Sequence, residues 1–408
     1  MLIPRSAYIH IPFCRRRCFY CDFPIAVAGD RARGETSLRM QTYVDTVCRE
    51  IRATPMLGPK LQTVFFGGGT PSLLSVPQVK QILETLATQF GIADEAEVSM
   101  EMDPGTFTTA GLAALQEAGL NRVSLGVQSF HDTQLEACGR THRLKDIEQA
   151  VADLKTVGIP VWSLDLISGL PHQTLKNWHE NFARAIALSP QHLSVYDLTV
   201  EPNTVFDRRY VAGQAPLPTD DATTQMYRAA QKQLTRAGYE HYEISNYALP
   251  GYQCQHNRVY WENRPYYGFG MGAASYTHRQ RFHRPRTTHE YQQWVEIYEQ
   301  SAGKVDCDPT PLAEQWLDRL MLGLRLAEGV NLQSLANEFG TTPVAKLSTC
   351  LAPYVQKHWV QFEETPVHRV RLTDPEGFLF SNVVLVTLFE TFSDPRHLPC
   401  PGSRDAVE

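Results

Sequence analysis

The stretch Tyr8-Ile-His-Ile-Pro-Phe-Cys14-Arg-Arg-Arg-Cys18-Phe-Tyr-Cys21 constrains this chain more than any other. It sets three thiols at C-x3-C-x2-C spacing directly behind a short strand-like run. A structural zinc site wants four protein ligands, commonly in C-x2-C pairs, and no second pair lies close by. Three thiolates suit a [4Fe–4S] cluster whose fourth iron stays open. An open iron can take the amino nitrogen and carboxylate oxygen of a methionine, the chelate through which S-adenosylmethionine binds. The spacing, with the aromatic Tyr20 just before the last thiol, predicts cluster ligation by Cys14, Cys18 and Cys21. The alternatives are three free cysteines on a loop and a zinc knuckle completed by His10. A single cysteine would carry no information, since cysteine is common in cores.

At 408 residues the chain has material for one large domain and a smaller one. A net charge of −6 argues against a nucleic-acid surface, which normally shows a basic excess. The Arg15–Arg17 run reads as an electropositive neighbour of an anionic cluster. Six further cysteines are dispersed without framework spacing, which points to a reducing compartment. The N-terminus has no apolar h-region, and the longest uncharged apolar run, Phe378 to Phe389, is too short to span a bilayer. These features predict a cytoplasmic location and no transmembrane segment.

From Ala7 to about Leu198, short β-branched or aromatic runs alternate with helical patterns. Strands are predicted at Tyr8–Ile11, Thr63–Phe66, Val98–Met102, Arg122–Leu125, Val161–Ile167 and Leu193–Tyr196. Helices are predicted at Gln41–Arg52, Pro77–Phe90, Ala110–Ala118, Leu144–Val157 and Leu175–Ala187. Such alternation means βαβ units and a parallel sheet, here a partial (β/α)6 TIM-like barrel with functional groups at the C-terminal strand ends. A doubly wound sheet would need a Gly-rich nucleotide turn after its first strand, where this chain has the cysteine loop. Past about Tyr291 a helix-helix-helix-hairpin order predicts a small α+β, winged-helix-like domain. The expected division is 1–290, 291–392 and a loose tail over 393–408.

Phe65-Phe66-Gly67-Gly68-Gly69-Thr70-Pro71 follows the second strand. Its glycines let backbone approach a ligand closely, although a tight turn would explain them equally well. Beside the cysteine loop they read as a grip for the amino group of a methionine moiety. Glu101 and Asp103 end the third strand, Gln128 the fourth; Arg140 lies in the loop beyond, and Asp165 lies in the fifth. Each alone reads as a salt bridge or helix cap. Their common place at strand ends raises the joint functional reading.

These residues resemble the radical S-adenosylmethionine superfamily, in the branch related to oxygen-independent coproporphyrinogen III oxidase. The motifs that carry the resemblance are Tyr-Ile-His-Ile-Pro-Phe-Cys, Gly-Gly-Gly-Thr-Pro, Glu-Met-Asp-Pro-Gly, Gly-Val-Gln-Ser-Phe and Asp-Leu-Ile-Ser-Gly-Leu-Pro. By motif position, the resemblance implies that Tyr8, Tyr20, Gly68, Gly69, Thr70, Glu101, Gln128, Arg140 and Asp165 contact S-adenosylmethionine. Two departures speak against the oxidase, whose motif continues Cys-x-Cys after the third ligand and follows a long leading segment. Here Cys21 is followed by Asp22-Phe23, and 13 residues precede Cys14.

Both departures, with His256-Asn-Arg-Val-Tyr-Trp261, resemble the haem chaperone branch of this family and its H-N-x-x-Y-W motif. Haem is physically plausible there. Imidazole is a common axial ligand, and Tyr260, Trp261, Tyr266, Tyr267 and Phe269 would supply flat apolar surface. A core histidine among packed aromatics is the competing reading, and Cys254 an alternative ligand. The resemblance thus implies a protein of porphyrin metabolism that carries a [4Fe–4S] cluster and S-adenosylmethionine, binds haem at His256 and delivers it to acceptor haemoproteins, membrane-associated ones included. Its rivals are oxidative decarboxylation of coproporphyrinogen III and radical chemistry on an unrelated substrate.

Overall fold

A computed structural model describes residues 3–30, 33–364 and 367–393. Six strands alternate with helices through the first half of the chain. They are β1 (Ser6–Ile11), β2 (Leu61–Gly68), β3 (Ile92–Met102), β4 (Arg122–Gln128), β5 (Val161–Ser168) and β6 (His192–Asp197). The intervening helices include α1 (Leu38–Ala53), α2 (Val76–Phe90), α3 (Thr109–Glu117), α4 (Leu144–Val157) and α5 (Leu175–Leu188). Their starts are set locally. The Ser37 hydroxyl accepts from the Met40 amide, and Ser75 with Gln78 forms a capping box ahead of α2. Gly158 ends α4 in the left-handed conformation that costs glycine least.

The strands belong to one nine-stranded sheet. Neighbours from β1 to β6 pair parallel in sequence order. Parallel pairing brings all six C-terminal ends to one rim, and helix cover makes the strand interiors apolar on both faces. The sheet is wider than the six expected strands. A seventh, β7 (Tyr267–Phe269), pairs parallel with β1, matching Tyr8 to Gly268. Beyond β6 follow Asn246–Ala248 and then Glu240–Glu243. The order ends at β7 on one side and Glu240–Glu243 on the other, so the described strands form an open, partial barrel.

Below the β1–β7 pair lies a buried polar knot. Arg284 donates to Glu50 at 2.7 Å, with side chains only 1% and 0% exposed. The same carboxylate accepts from the Gly270 amide at 2.9 Å and the Tyr291 hydroxyl at 2.5 Å. Tyr43 donates to the His10 carbonyl at 2.7 Å and accepts from the Met271 amide at 2.9 Å. The knot thus ties α1 to the ends of both strands.

The chain divides into two compact units. One holds residues up to Glu240, Tyr247–His256 and Arg264–Asp308; the other holds His241–Asn246, Asn257–Asn263 and the residues from Pro309 onward. The second unit contains helices Leu312–Gly323, Leu332–Phe339 and Thr341–Gln356, then an antiparallel pair, Val360–Glu363 with Arg369–Leu372. Val330–Asn331 adds a third strand, and a further helix runs Ser381–Phe392. No helix among the described residues is long and apolar enough to cross a membrane. Most of the tail expected after Phe392 lies outside the described residues.

Candidate cluster and S-adenosylmethionine site

The loop leaving β1 is folded back on itself. Phe13–Cys14 pairs parallel with Ala26–Val27, and the Arg17 guanidinium donates to the carbonyls of Cys21 and Phe23, each at 3.1 Å. The Phe19 amide donates to the Cys138 carbonyl at 2.9 Å. These bonds hold Cys14, Cys18 and Cys21 half-buried on the wall of a cavity of about 550 Å3 at the C-terminal rim of the strands. Burial pushes the Cys14 thiol up to about 12, and Asp103, Cys18 and Cys21 add to the shift. A thiol buried in this way is stable either protonated or bound to metal.

Among the described residues, no three His, Cys, Asp or Glu side chains converge to hold a single metal ion. A zinc knuckle would need a fourth ligand beside the three thiols, whereas the cysteine ligands of a cubane cluster bind three different irons. His10 is also withdrawn. Its Nε2 lies 3.0 Å from the Pro24 carbonyl and its Nδ1 3.0 Å from the Tyr8 hydroxyl, which fixes Nε2 as donor and Nδ1 as acceptor. Burial lowers its pKa to about 4, so the ring is neutral.

Eight of the nine residues expected around S-adenosylmethionine line this cavity: Tyr20, Gly68, Gly69, Thr70, Glu101, Gln128, Arg140 and Asp165. Tyr8 does not. It lies behind the glycine turn, and a Cβ added at Gly67 would sit 3.0 Å from Tyr8 and 3.2 Å from the Glu101 carboxyl carbon. A Cβ at Gly69 would stand 2.8 Å from the Phe13 carbonyl oxygen, so the turn needs glycine to pass the cysteine loop.

Glu101 accepts from the Gly68 amide at 2.9 Å. Burial, reinforced by Asp165 and Asp103, nonetheless pushes its pKa up to about 8. Asp165 accepts from Ser124 Oγ at 2.9 and 3.1 Å, and burial raises its pKa to about 6. Arg140 forms an ion pair with Asp103 and donates to the Gly126 carbonyl at 2.9 Å. Gln128 has a positive φ of 65°, and its buried side-chain oxygen has no hydrogen-bond partner among the described residues. A strained residue with an orphaned acceptor on a cavity wall is a common mark of a ligand site. Two carboxyls held above their ordinary range call for a cationic guest, and the orphaned Gln128 oxygen calls for a donor. S-adenosylmethionine supplies a sulfonium cation, amino N–H donors and hydroxyls, so the lining fits it.

The structure does not bring His256 into this cavity. Its ring is 0% exposed and stacks on Phe65 with centroids 5.1 Å apart. Its Nδ1 lies 2.7 Å from Thr63 Oγ1, and its amide donates to Glu97 at 3.0 Å. Burial depresses its pKa to about 3. The expected porphyrin wall is also interior, since Tyr266, Tyr267 and Phe269 are buried, the last two as part of β7. Cys254 is buried with its sulfur 3.6 Å from Glu97. Ser124 and Asp197 are among the lining residues that escaped the sequence reading. Ser124, the partner of Asp165, sits mid-strand with nothing to mark it. Asp197 ends β6 and could have been found by the strand-end rule, had that strand been carried one residue further.

The chain matches the Radical SAM superfamily over residues 8–185 and the HemN C-terminal domain over residues 311–380. It is 46% identical to the heme chaperone HemW of Synechocystis sp., covering 96% of this chain and 98% of that protein. The heme chaperone HemW of Bacillus subtilis is 33% identical, with 93% and 98% covered. The solved coproporphyrinogen III oxidase (HemN) of Escherichia coli superposes with a TM-score of 0.79 over 95% of this chain and 90% of that one. At 21% identity, that likeness concerns the fold. With near-complete coverage at 46% identity and both domain matches in place, the chain belongs to the HemW family of the radical SAM superfamily.

Proposed function

We propose that this protein binds haem and passes it to acceptor haemoproteins, membrane-associated ones among them, from a cytoplasmic location. The observation that carries the reading is the gathering of three thiols and eight expected contact residues on one cavity, in a chain whose relatives are named heme chaperones. Residues 1–290 would carry the cofactors and 291–392 an accessory role. Cys14, Cys18 and Cys21 would hold the [4Fe–4S] cluster and leave one iron for S-adenosylmethionine. When bound, this pair supplies reductive cleavage of a sulfonium. Glu101 would accept from the methionine amino group as a carboxylate, giving its proton to solvent when the sulfonium cation arrives. Asp165, held by Ser124, and Gln128 would receive ribose or adenine donors. Arg140 would face the methionine carboxylate, while Tyr20 and the glycine backbone shape the wall and Tyr8 backs it.

Haem ligation by His256 is a proposal about an opened state. The helix Gln255–Trp261 would have to lift its first turn before the ring could reach an iron. Anaerobically reconstituted protein titrated with haem, followed at the Soret band, is expected to saturate near one haem per chain. Wild type that shows no saturable binding would end the chaperone reading. His256→Gln is expected to alter the bound spectrum; an unchanged spectrum and affinity would make His256 a core ring only.

A further inference from the structure

Asp103, at the foot of β3, has no part in the assignments made so far beyond its ion pair. One carboxylate oxygen meets Arg140, and the other accepts from Thr70 Oγ1 at 3.1 Å. Each of those partners also touches a thiol. Arg140 Nη1 stands 3.5 Å from Cys18 Sγ, and Thr70 Oγ1 stands 3.8 Å from Cys14 Sγ. Gly126 makes room for the arrangement, since a Cβ there would lie 2.8 Å from the Asp103 oxygen. Asp103 is itself pinned, with its carbonyl accepting from Thr106 Oγ1 at 2.6 Å. We propose that Asp103 is a positioning residue for the cluster, anchoring Arg140 and drawing the Thr70 hydroxyl away from Cys14, and so holding its reduction potential low.

The direction follows from three effects of the same sign. A fixed negative charge near the cluster opposes the arrival of an electron. The same charge neutralises Arg140, whose guanidinium would otherwise favour the reduced state. The Thr70 hydroxyl has one proton, and Asp103 competes with the Cys14 sulfur for it. Hydrogen bonds to cluster sulfurs raise the potential, so a proton kept on Asp103 leaves it lower. Asp103→Asn keeps the shape and reverses all three. An asparagine can turn its amide toward Thr70 and leave that hydroxyl free to donate to Cys14.

The inference rests on Cys14, Cys18 and Cys21 being the cluster ligands, and the experiment separates the two claims. Wild type, the triple Cys→Ala variant, Asp103→Asn and Asp103→Glu are reconstituted anaerobically, assayed for iron and sulfide, and titrated electrochemically with paramagnetic resonance as the readout. Iron and sulfide in the triple variant equal to wild type would refute the ligand assignment, whatever Asp103 does. With wild type loaded, Asp103→Asn is expected to hold equal iron and shift the reduction equilibrium about tenfold toward the reduced cluster, which is about 59 mV for one electron. Asp103→Glu keeps the charge and is expected to stay within about twofold of wild type. If Asp103→Asn does not retain iron, Asp103→Ala is read in its place with the same expected shift. A neutral variant at the wild-type potential, or Glu and neutral variants shifting together, overturns the proposal.

Discussion

Glu101 shows how one buried acid couples binding to pH. Its pKa near 8 in the folded chain exceeds the ordinary value of 4.5, and that of Asp165 near 6 exceeds 3.8. A carboxyl raised in this way contributes stability that is complete below its unfolded pKa and lost as pH rises through the folded value. The protein without cluster or ligand is therefore expected to lose stability progressively between about pH 4 and pH 8, and Glu101→Gln to flatten the upper part of that decline. At pH 7, S-adenosylmethionine should release protons as it binds. Calorimetry in two buffers of different ionisation enthalpy measures this release, and a release unchanged in Glu101→Gln would remove Glu101 from the amino group's partners. Residues such as Glu101 were legible in the sequence as candidates because they sit in motifs at strand ends. The orphaned Gln128 oxygen and the split loyalty of Asp103 were not, since both depend on which neighbours lie within a few ångströms across different strands.

At the scale of elements, the Glu50–Arg284 knot is the most exacting feature. Both groups are almost wholly buried, so removing one leaves an unpaired polar or charged group in the interior. Arg284→Met is expected to cost about 3–5 kcal/mol in urea unfolding, well above the loss of an exposed, solvent-screened pair such as Arg16–Asp30. A cost below about 1 kcal/mol would mean that the knot does not lock α1 to the strand ends. The six strands and five helices of the first half were legible because their apolar runs and caps are local signals. β7 was not. Three residues with Gly268 at the centre carry too little pattern to read as a strand, and their aromatics read equally well as a ligand wall. Only pairing with β1, far away in sequence, makes them one. The same holds for His256, whose motif suggests a ligand while its packing against Phe65 and Tyr8 makes an interior stack.

For the molecule as a whole, the resemblance to coproporphyrinogen III oxidase in fold does not carry its reaction. Phe23, 57% exposed on the cavity wall, stands where that enzyme's motif has a further cysteine. With reductant and S-adenosylmethionine supplied, protoporphyrinogen formation is expected to stay at the level of a no-enzyme control. Turnover above it would promote the decarboxylase reading. Alternation and its end are global patterns, and from them the sequence leads one to expect a large α/β domain with a smaller one after it. It did not show that His241–Asn246 and Asn257–Asn263 belong with the smaller unit, which no local composition marks. The place of β1 between β2 and β7 has a further consequence, in time. Its partner β7 leaves the ribosome roughly 260 residues later, which at 5–20 residues per second is about 13–50 s. Until then the strand that leads into the thiol loop has one open edge, and the polar knot at its end lacks Arg284. A newborn chain therefore presents its cysteine loop before the wall around it is finished. That interval suits delivery of a bulky inorganic cofactor, and it is also when the thiols are most open to oxidation.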